Sequence, residues 1–161
     1  DTVASVGETV ADMRRRADAL GRELTYGLRA HMIVRETEAE ARAAADRLLS
    51  KLDIDTGEQI RNKSLDTQSA GVSRQNELRD GADDDGYAEA NLWTGVGRAR
   101  SGAGAAIVGD PDQVVAKLKA YQEVGVEAFI LSGYTHIAEC DLVAEHVLPN
   151  IEHSALRPRW S

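Results

Sequence analysis

Leu24-Thr25-Tyr26-Gly27-Leu28-Arg29-Ala30-His31-Met32-Ile33-Val34-Arg35-Glu36-Thr37-Glu38-Ala39-Glu40 is the stretch that decides the fold. Side chains alternate along a strand, so Leu28, Ala30, Met32 and Val34 share one face of a Leu24–Val34 strand, and Gly27, Arg29, His31 and Ile33 share the other. Thr37-Glu38-Ala39-Glu40 then forms a capping-box pattern, which opens a helix. Its apolar positions Ala41, Ala44, Ala45, Leu48, Leu49 and Leu52 follow helical spacing and predict one buried stripe. A strand running straight into a helix is a βα unit. Polar residues at the far end of such a strand sit where α/β enzymes place their chemistry.

Upstream, residues 6–22 read as a charged helix that ends near Gly21. Downstream, from about Asp53 to Ala90, the periodicity weakens. Ten acidic residues face four basic ones between Asp53 and Glu89, so this stretch carries most of the net charge of -8. Some helix is expected within Glu58–Leu78. Asp80-Gly81-Ala82-Asp83-Asp84-Asp85-Gly86 reads as an exposed, mobile turn. A long irregular stretch in a small domain is either functional or disordered.

Order resumes at Asn91-Leu92-Trp93 and passes into Gly97-Arg98-Ala99-Arg100-Ser101-Gly102-Ala103-Gly104, a glycine-rich mobile loop bearing arginines. A short apolar run, Ala105–Val108, leads to Asp110-Pro111, a helix start with Asp as N-cap and Pro at the first helical position. That helix should bury Val114, Val115, Leu118 and Tyr121 and stop near Gly125. Val126–Gly133 reads as the second strand, and Thr135 or His136 opens a last helix through Leu148. The repeating order argues for an α/β fold with a parallel sheet. Only two strands are clear, whereas a closed (β/α)8 barrel needs about 250 residues. The 161 residues therefore read as one incomplete domain, the C-terminal βα units of a larger barrel, with 53–104 as a polar insertion and mobile loop before the last helix–strand unit.

Composition excludes several classes. An acidic chain is a poor partner for nucleic acid. No apolar run approaches the roughly 18–20 residues that span a bilayer, and no signal peptide is visible. A single cysteine excludes an internal disulfide framework and fits a reducing cytoplasm. Four scattered histidines and Cys140 offer no metal-ligand spacing. His146 and His153 read as surface residues. Cys140 lies on an apolar stripe with Ala144, Val147, Leu148 and Ile151, which predicts core packing. The Asp83–Asp85 run lacks the spacing of a calcium loop. Neither Gly95-Val96-Gly97 nor Gly102-Ala103-Gly104 has the third glycine of a dinucleotide fingerprint.

What remains is a set of polar residues with parity and position in common. Arg29 and His31 share a strand face, and burying both unpaired against a helix layer would be costly, so a lumen is the cheaper place. A guanidinium holds an anion by forked hydrogen bonds, and an imidazole exchanges protons near neutral pH. Tyr134 and His136 have equal parity at a strand end just before a helix N-terminus, which favours anions. A glycine-flanked loop with Arg98 and Arg100 can swing shut on a bound anion and exclude water. The plainer alternatives are that Arg29 and His31 only satisfy a buried carboxylate or backbone carbonyl, that the loop arginines are solvated, and that the tyrosine merely caps the rim.

Leu28–Thr37, Asn91-Leu92-Trp93-Thr94-Gly95-Val96-Gly97, Ser101-Gly102-Ala103-Gly104 and Leu131-Ser132-Gly133-Tyr134-Thr135-His136 resemble the alkanesulfonate monooxygenases, of the bacterial-luciferase-like flavin monooxygenases. Val108-Gly109-Asp110-Pro111 and Gly125-Val126-Glu127-Ala128-Phe129 are similar to the wider superfamily, and the resemblance runs from about residue 6 to residue 150. It implies a luciferase-like (β/α)8 barrel that takes reduced FMN from a separate NAD(P)H-dependent FMN reductase. With O2 the flavin gives a C4a-peroxyflavin, which cleaves the carbon–sulfur bond of an alkanesulfonate to an aldehyde and sulfite. It implies that Arg29, His31, Arg100, Tyr134 and His136 line the site, with Arg100 and Tyr134 against the flavin; Arg98 has no counterpart. The family's pocket cysteine and much of its flavin phosphate site lie in an N-terminal part outside these residues, so the chain alone is expected to be inactive. Methanesulfonate or a sulfone are the rival substrates, and a non-catalytic flavin-binding module is the rival class. The exposed edges of a partial barrel are expected to pair, either with an N-terminal segment that completes the fold or between chains as a homo-oligomer.

Overall fold

The computed structural model describes residues 1–53, 70–99 and 104–154. Helix α1 (Val3–Asp18) is capped by the Thr2 hydroxyl, which accepts from Ser5 N–H. It ends just before Gly21, whose φ of 63° suits a residue without Cβ. Strand β1 (Gly27–Val34) follows, then α2 (Glu38–Leu49), where both halves of the Thr37–Glu40 capping box form. Leu48, placed on the buried stripe by spacing alone, faces outward, and Ala41, Ala44 and Ala45 carry the packing.

Helix α3 (Ala70–Asp80) lies in the acidic stretch. After it, the Asp80–Gly86 turn is exposed but hydrogen-bonded: the Asp83 carboxylate accepts from the N–H groups of Asp85 and Tyr87. Strands β2 (Tyr87–Glu89) and β3 (Leu92–Trp93) pair as an antiparallel hairpin, so the end of the polar stretch joins the sheet. A single turn of helix, α4 (Val96–Ala99), occupies the start of the segment expected to be loop. Then come β4 (Ala106–Gly109), α5 (Pro111–Glu123) with its Asp110–Gln113 capping box, β5 (Ala128–Ser132) and α6 (His136–Leu142). The chain continues through a π-type turn at Val143–Val147 and a tight turn at Leu148–Asn150.

The five strands lie in the order β2-β3-β4-β1-β5, with β4, β1 and β5 parallel and β3 antiparallel to β4. The α/β class and the βα units are as expected. Among the described residues the sheet is open, as a part of a (β/α)8 barrel is, and the consecutive strands β4 and β5 flank β1 instead of pairing with each other. The far edge of β4 is taken by β3, and β5 occupies the other edge of β1. The second crossover therefore runs back across the sheet. Right-handed crossovers then put α2 and α5 on opposite faces.

The packing agrees. Met32, Val34 and Ile107 meet Val114, Leu118 and Tyr121 of α5, Val6 and Val10 of α1, and Val143 and Val147. On the other face Ile33, Ala106 and Val108 meet Ala41, Ala44 and Ala45 of α2, with Tyr87 and Trp93 of the hairpin. Each large core side chain buried in this way contributes roughly 1.5–3 kcal/mol. The second face is also the face of Arg29 and His31. Where β4 and the end of β1 lie it is covered. Beside β5 it is open, and Arg29 and Ile130, register partners, are both exposed.

Cys140 is a correction. It is exposed, as is Ala144, while Glu139, Val143 and Val147 are buried. The inward positions are Glu139, Val143 and Val147; of the expected stripe Val147 is buried and Leu148 and Ile151 pack against the core, whereas Cys140 and Ala144 face outward. Glu139 sets that phase through the bonds described next.

Candidate functional site

His31 sits in mid-sheet, with Ala106 of β4 as register partner on one side and Ser132 of β5 on the other. Partners in register on adjacent parallel strands project to the same face, so Ser132 stands beside the imidazole. Its Oγ is 3.1 Å from His31 Nδ1. Two residues on, the ring of Tyr134 stacks on His31 with centroids 5.3 Å apart and planes 24° apart. His136 meets Tyr134 edge-on at 5.6 Å and 69°. Offset and edge-to-face contacts are the arrangements aromatic quadrupoles favour. The array grades outward, from His31 at 5% exposure through half-buried Tyr134 to exposed His136.

Arg29 precedes His31 by two residues on the same face, roughly 6–7 Å along the strand. It is exposed beside Ile130. Arg98 is exposed at the end of α4. Arg100, expected as lid and flavin contact, lies outside the described residues. The structure thus brings together His31, Tyr134 and His136, with Arg29 further along the same face.

The turn that delivers Tyr134 is fixed from below. Glu139, 2% exposed, accepts from Val34 N–H at 3.2 Å and from the Arg35 guanidinium at 2.6 Å. Its own N–H donates to Thr135 O. A Cβ on Gly133 would fall 2.4 Å from the Glu139 Cβ, so only glycine lets the turn lie this close. The Tyr134–Thr135 peptide is cis. The Glu139 bonds to Val34 and Arg35 seat the α6 N-terminus on the C-terminal end of β1, where the Tyr134 ring lies over His31.

Ser132 and Glu139 were missed in the sequence. For Ser132 a signal existed: it stands two residues before Tyr134 and so shares its strand parity. For Glu139 there was none, because a glutamate in a first helical turn ordinarily just complements the helix dipole.

A separate cleft of about 730 Å³ lies between α2, α3, the Asp80–Gly86 turn and Trp93–Arg98. Its wall includes Arg42, whose guanidinium lies 4.1 Å over the Tyr87 ring and pairs with Glu38 at 2.9 Å. Burial pushes the Tyr87 phenol up to about 12. Arg98 lines this cleft, but His31, Tyr134 and His136 do not. Among the described residues no group of three His, Cys, Asp or Glu side chains could hold a metal ion, and no helix is long and apolar enough to cross a membrane.

Strand β1 and the segment that follows the parallel strand β5 thus hold a contiguous imidazole–phenol–imidazole array, His31, Tyr134 and His136. Residues 2–128 match the luciferase-like monooxygenase family, and the chain belongs to that family. The match takes in Arg29 and His31 and ends at the start of β5, before Tyr134 and His136. Two curated relatives carry a particular name. The chain is 64% identical over 156 residues to the sulfoquinovose monooxygenase of Novosphingobium aromaticivorans and 51% identical over 156 residues to that of Agrobacterium fabrum. Each alignment covers 97% of this chain but 43% and 40% of the respective relative, so the chain spans about two fifths of their length.

Proposed function

We propose that the whole protein is a two-component monooxygenase that uses reduced flavin and O2 to cleave the carbon–sulfur bond of an organosulfonate. Its products are sulfite and an aldehyde. The substrate is a sugar sulfonate of the sulfoquinovose type, a reading supported by the name and the identity of the two relatives. The alkanesulfonate resemblance in the sequence reflects the shared chemistry at the sulfonate end. The observation that carries the proposal is the stacked His31–Tyr134–His136 array at the strand ends, with Arg29 exposed on the same face.

Arg29 offers forked donors to the sulfonate. His31 holds a hydrogen bond or passes a proton beneath the Tyr134 ring, and the Tyr134 hydroxyl donates to charge that develops on oxygen. His136 stands at the solvent edge of the array. Arg100, which lies outside the described residues, is the further cation this reading assigns to the bound anions.

A flat aromatic face flanked by O–H and N–H donors fits one wall of a flavin ring site, and Tyr134 with Arg100 would form it. When bound, the reduced flavin supplies the electrons that activate oxygen. An NAD(P)H-dependent FMN reductase delivers it.

Sulfite release by the full-length enzyme, coupled to such a reductase, tests the reading across sulfoquinovose, linear alkanesulfonates, methanesulfonate and a sulfone. The expected result is the highest kcat/KM for sulfoquinovose, with Arg29→Ala raising KM for every sulfonate. Turnover of linear alkanesulfonates without turnover of sulfoquinovose would restore the simpler substrate, and no sulfite from any of them would sink the reading.

A further inference from the structure

His31 is locked on three sides. Ala106 leaves no group larger than a methyl beside it on β4, Tyr134 covers its face, and Ser132 alone among its register partners carries a hydrogen-bonding side chain. The Ser132 hydroxyl reaches Nδ1, 3.1 Å away, across strands 101 residues apart in sequence. A neutral imidazole carries its proton on one nitrogen, and a fixed partner at one nitrogen decides what the other can do.

We infer that Ser132 is a positioning residue for His31: it holds the ring by Nδ1, so that Nε2 is the nitrogen that exchanges a hydrogen bond or a proton in the site. This rests on the monooxygenase reading above, in which His31 touches the reacting groups. The parallel register makes the arrangement robust, because Ser132 and His31 are paired by the β1–β5 ladder itself and not by a mobile loop. Stacking by Tyr134 fixes the plane of the ring but not which edge faces which way; the hydroxyl supplies that missing constraint. A serine is also the smallest side chain that does so while leaving room for Tyr134 two residues on.

The test uses the full-length enzyme, selectively nitrogen-15 labelled at histidine. In the wild type the His31 ring nitrogens should give two well-separated resonances, the mark of one tautomer. In Ser132→Ala they should move toward the averaged position of two tautomers, and Ser132→Thr, which keeps the hydroxyl, should restore the separation. In sulfite release, Ser132→Ala should lower kcat about tenfold, the size of one lost hydrogen bond, with KM little changed, and Ser132→Thr should recover most of it. In a His31→Ala background, Ser132→Ala should add no further loss. Unchanged His31 resonances in Ser132→Ala, or an equal loss with and without His31, would overturn the inference. A wild type that keeps the single-tautomer spectrum but releases no sulfite from any sulfonate fails the monooxygenase reading instead, and leaves the Ser132–His31 coupling standing.

Discussion

Glu139 is a carboxylate almost wholly removed from water, and it is tolerable only because both oxygens are engaged, one by Val34 N–H and one by Arg35. Truncation leaves a strand-end N–H and a guanidinium without their acceptor. Breaking a fully buried pair costs about 3–5 kcal/mol, but the Arg35 side chain is 29% exposed and recovers part of its hydration. Glu139→Ala should therefore lower stability by about 2–3 kcal/mol, and Glu139→Gln, which retains one acceptor, by about half as much. Urea unfolding midpoints measure both, and equal midpoints for the two variants would refute the ion-pair account. Tyr87 gives the opposite case. Its hydroxyl is buried without a hydrogen-bond partner among the described residues, and burial holds its pKa at about 12, against an ordinary 10.0. A raised folded-state pKa favours the folded state fully below pH 10, and that contribution is lost as pH rises from 10 toward 12. Tyr121, whose hydroxyl donates to Asp1 O, is shifted upward by burial as well and acts in the same direction. Tyr87→Phe should fold as stably as wild type at pH 7 and lose less stability at pH 11. A phenolate difference titration showing Tyr87 ionising near pH 10 would contradict it.

At the scale of elements, the caps were the most legible feature because their signal is local. Asp110 accepts from Gln113 N–H while the Gln113 side chain accepts from Asp110 N–H, the reciprocal pair that the sequence spacing implies. Asp110→Ala should lower stability by about 1 kcal/mol, with Asp110→Asn close to wild type; thermal unfolding by circular dichroism reads both. The α5 core positions Val114, Val115, Leu118 and Tyr121 were legible for the same reason, since helical spacing needs no knowledge of partners. The last helix was legible at its start and at Val147, Leu148 and Ile151, but not at Cys140 and Ala144. Its phase is set by Glu139 reaching Arg35, 104 residues away, and no periodicity count contains that contact. The site divides along the same line. Parity grouped Arg29 with His31 and placed Tyr134 at a strand end, but the stack of Tyr134 on His31 depends on β5 lying beside β1, which is tertiary information.

At the scale of the whole molecule, strand order was the least legible property, because a strand's own sequence names its buried faces and not its neighbours. The consequence is an edge. Among the described residues β5 is the last strand of the sheet, with one side paired to β1. Ile130 on that strand is 66% exposed, and Ile137, the second residue of α6, is 79% exposed. Edge strands offer unpaired N–H and C=O groups, and natural sheets protect them with charge, proline or cover. Here β5 reads Ala128-Phe129-Ile130-Leu131-Ser132, without charge or proline, so nothing in the strand discourages another strand from pairing with it. Net charge of -8 opposes association at long range, but salt screens it over about 10 Å at 0.1 M, and contact between edges is shorter than that. The 161-residue chain expressed alone should therefore self-associate, more strongly at higher ionic strength. Sedimentation velocity over a concentration series should show the mass rising with concentration, and Ile130→Lys, which puts a charge on the exposed face of the edge strand, should hold it monomeric. A wild-type chain that stays monomeric throughout at 0.5 M salt would mean that β5 is protected by something other than its own residues.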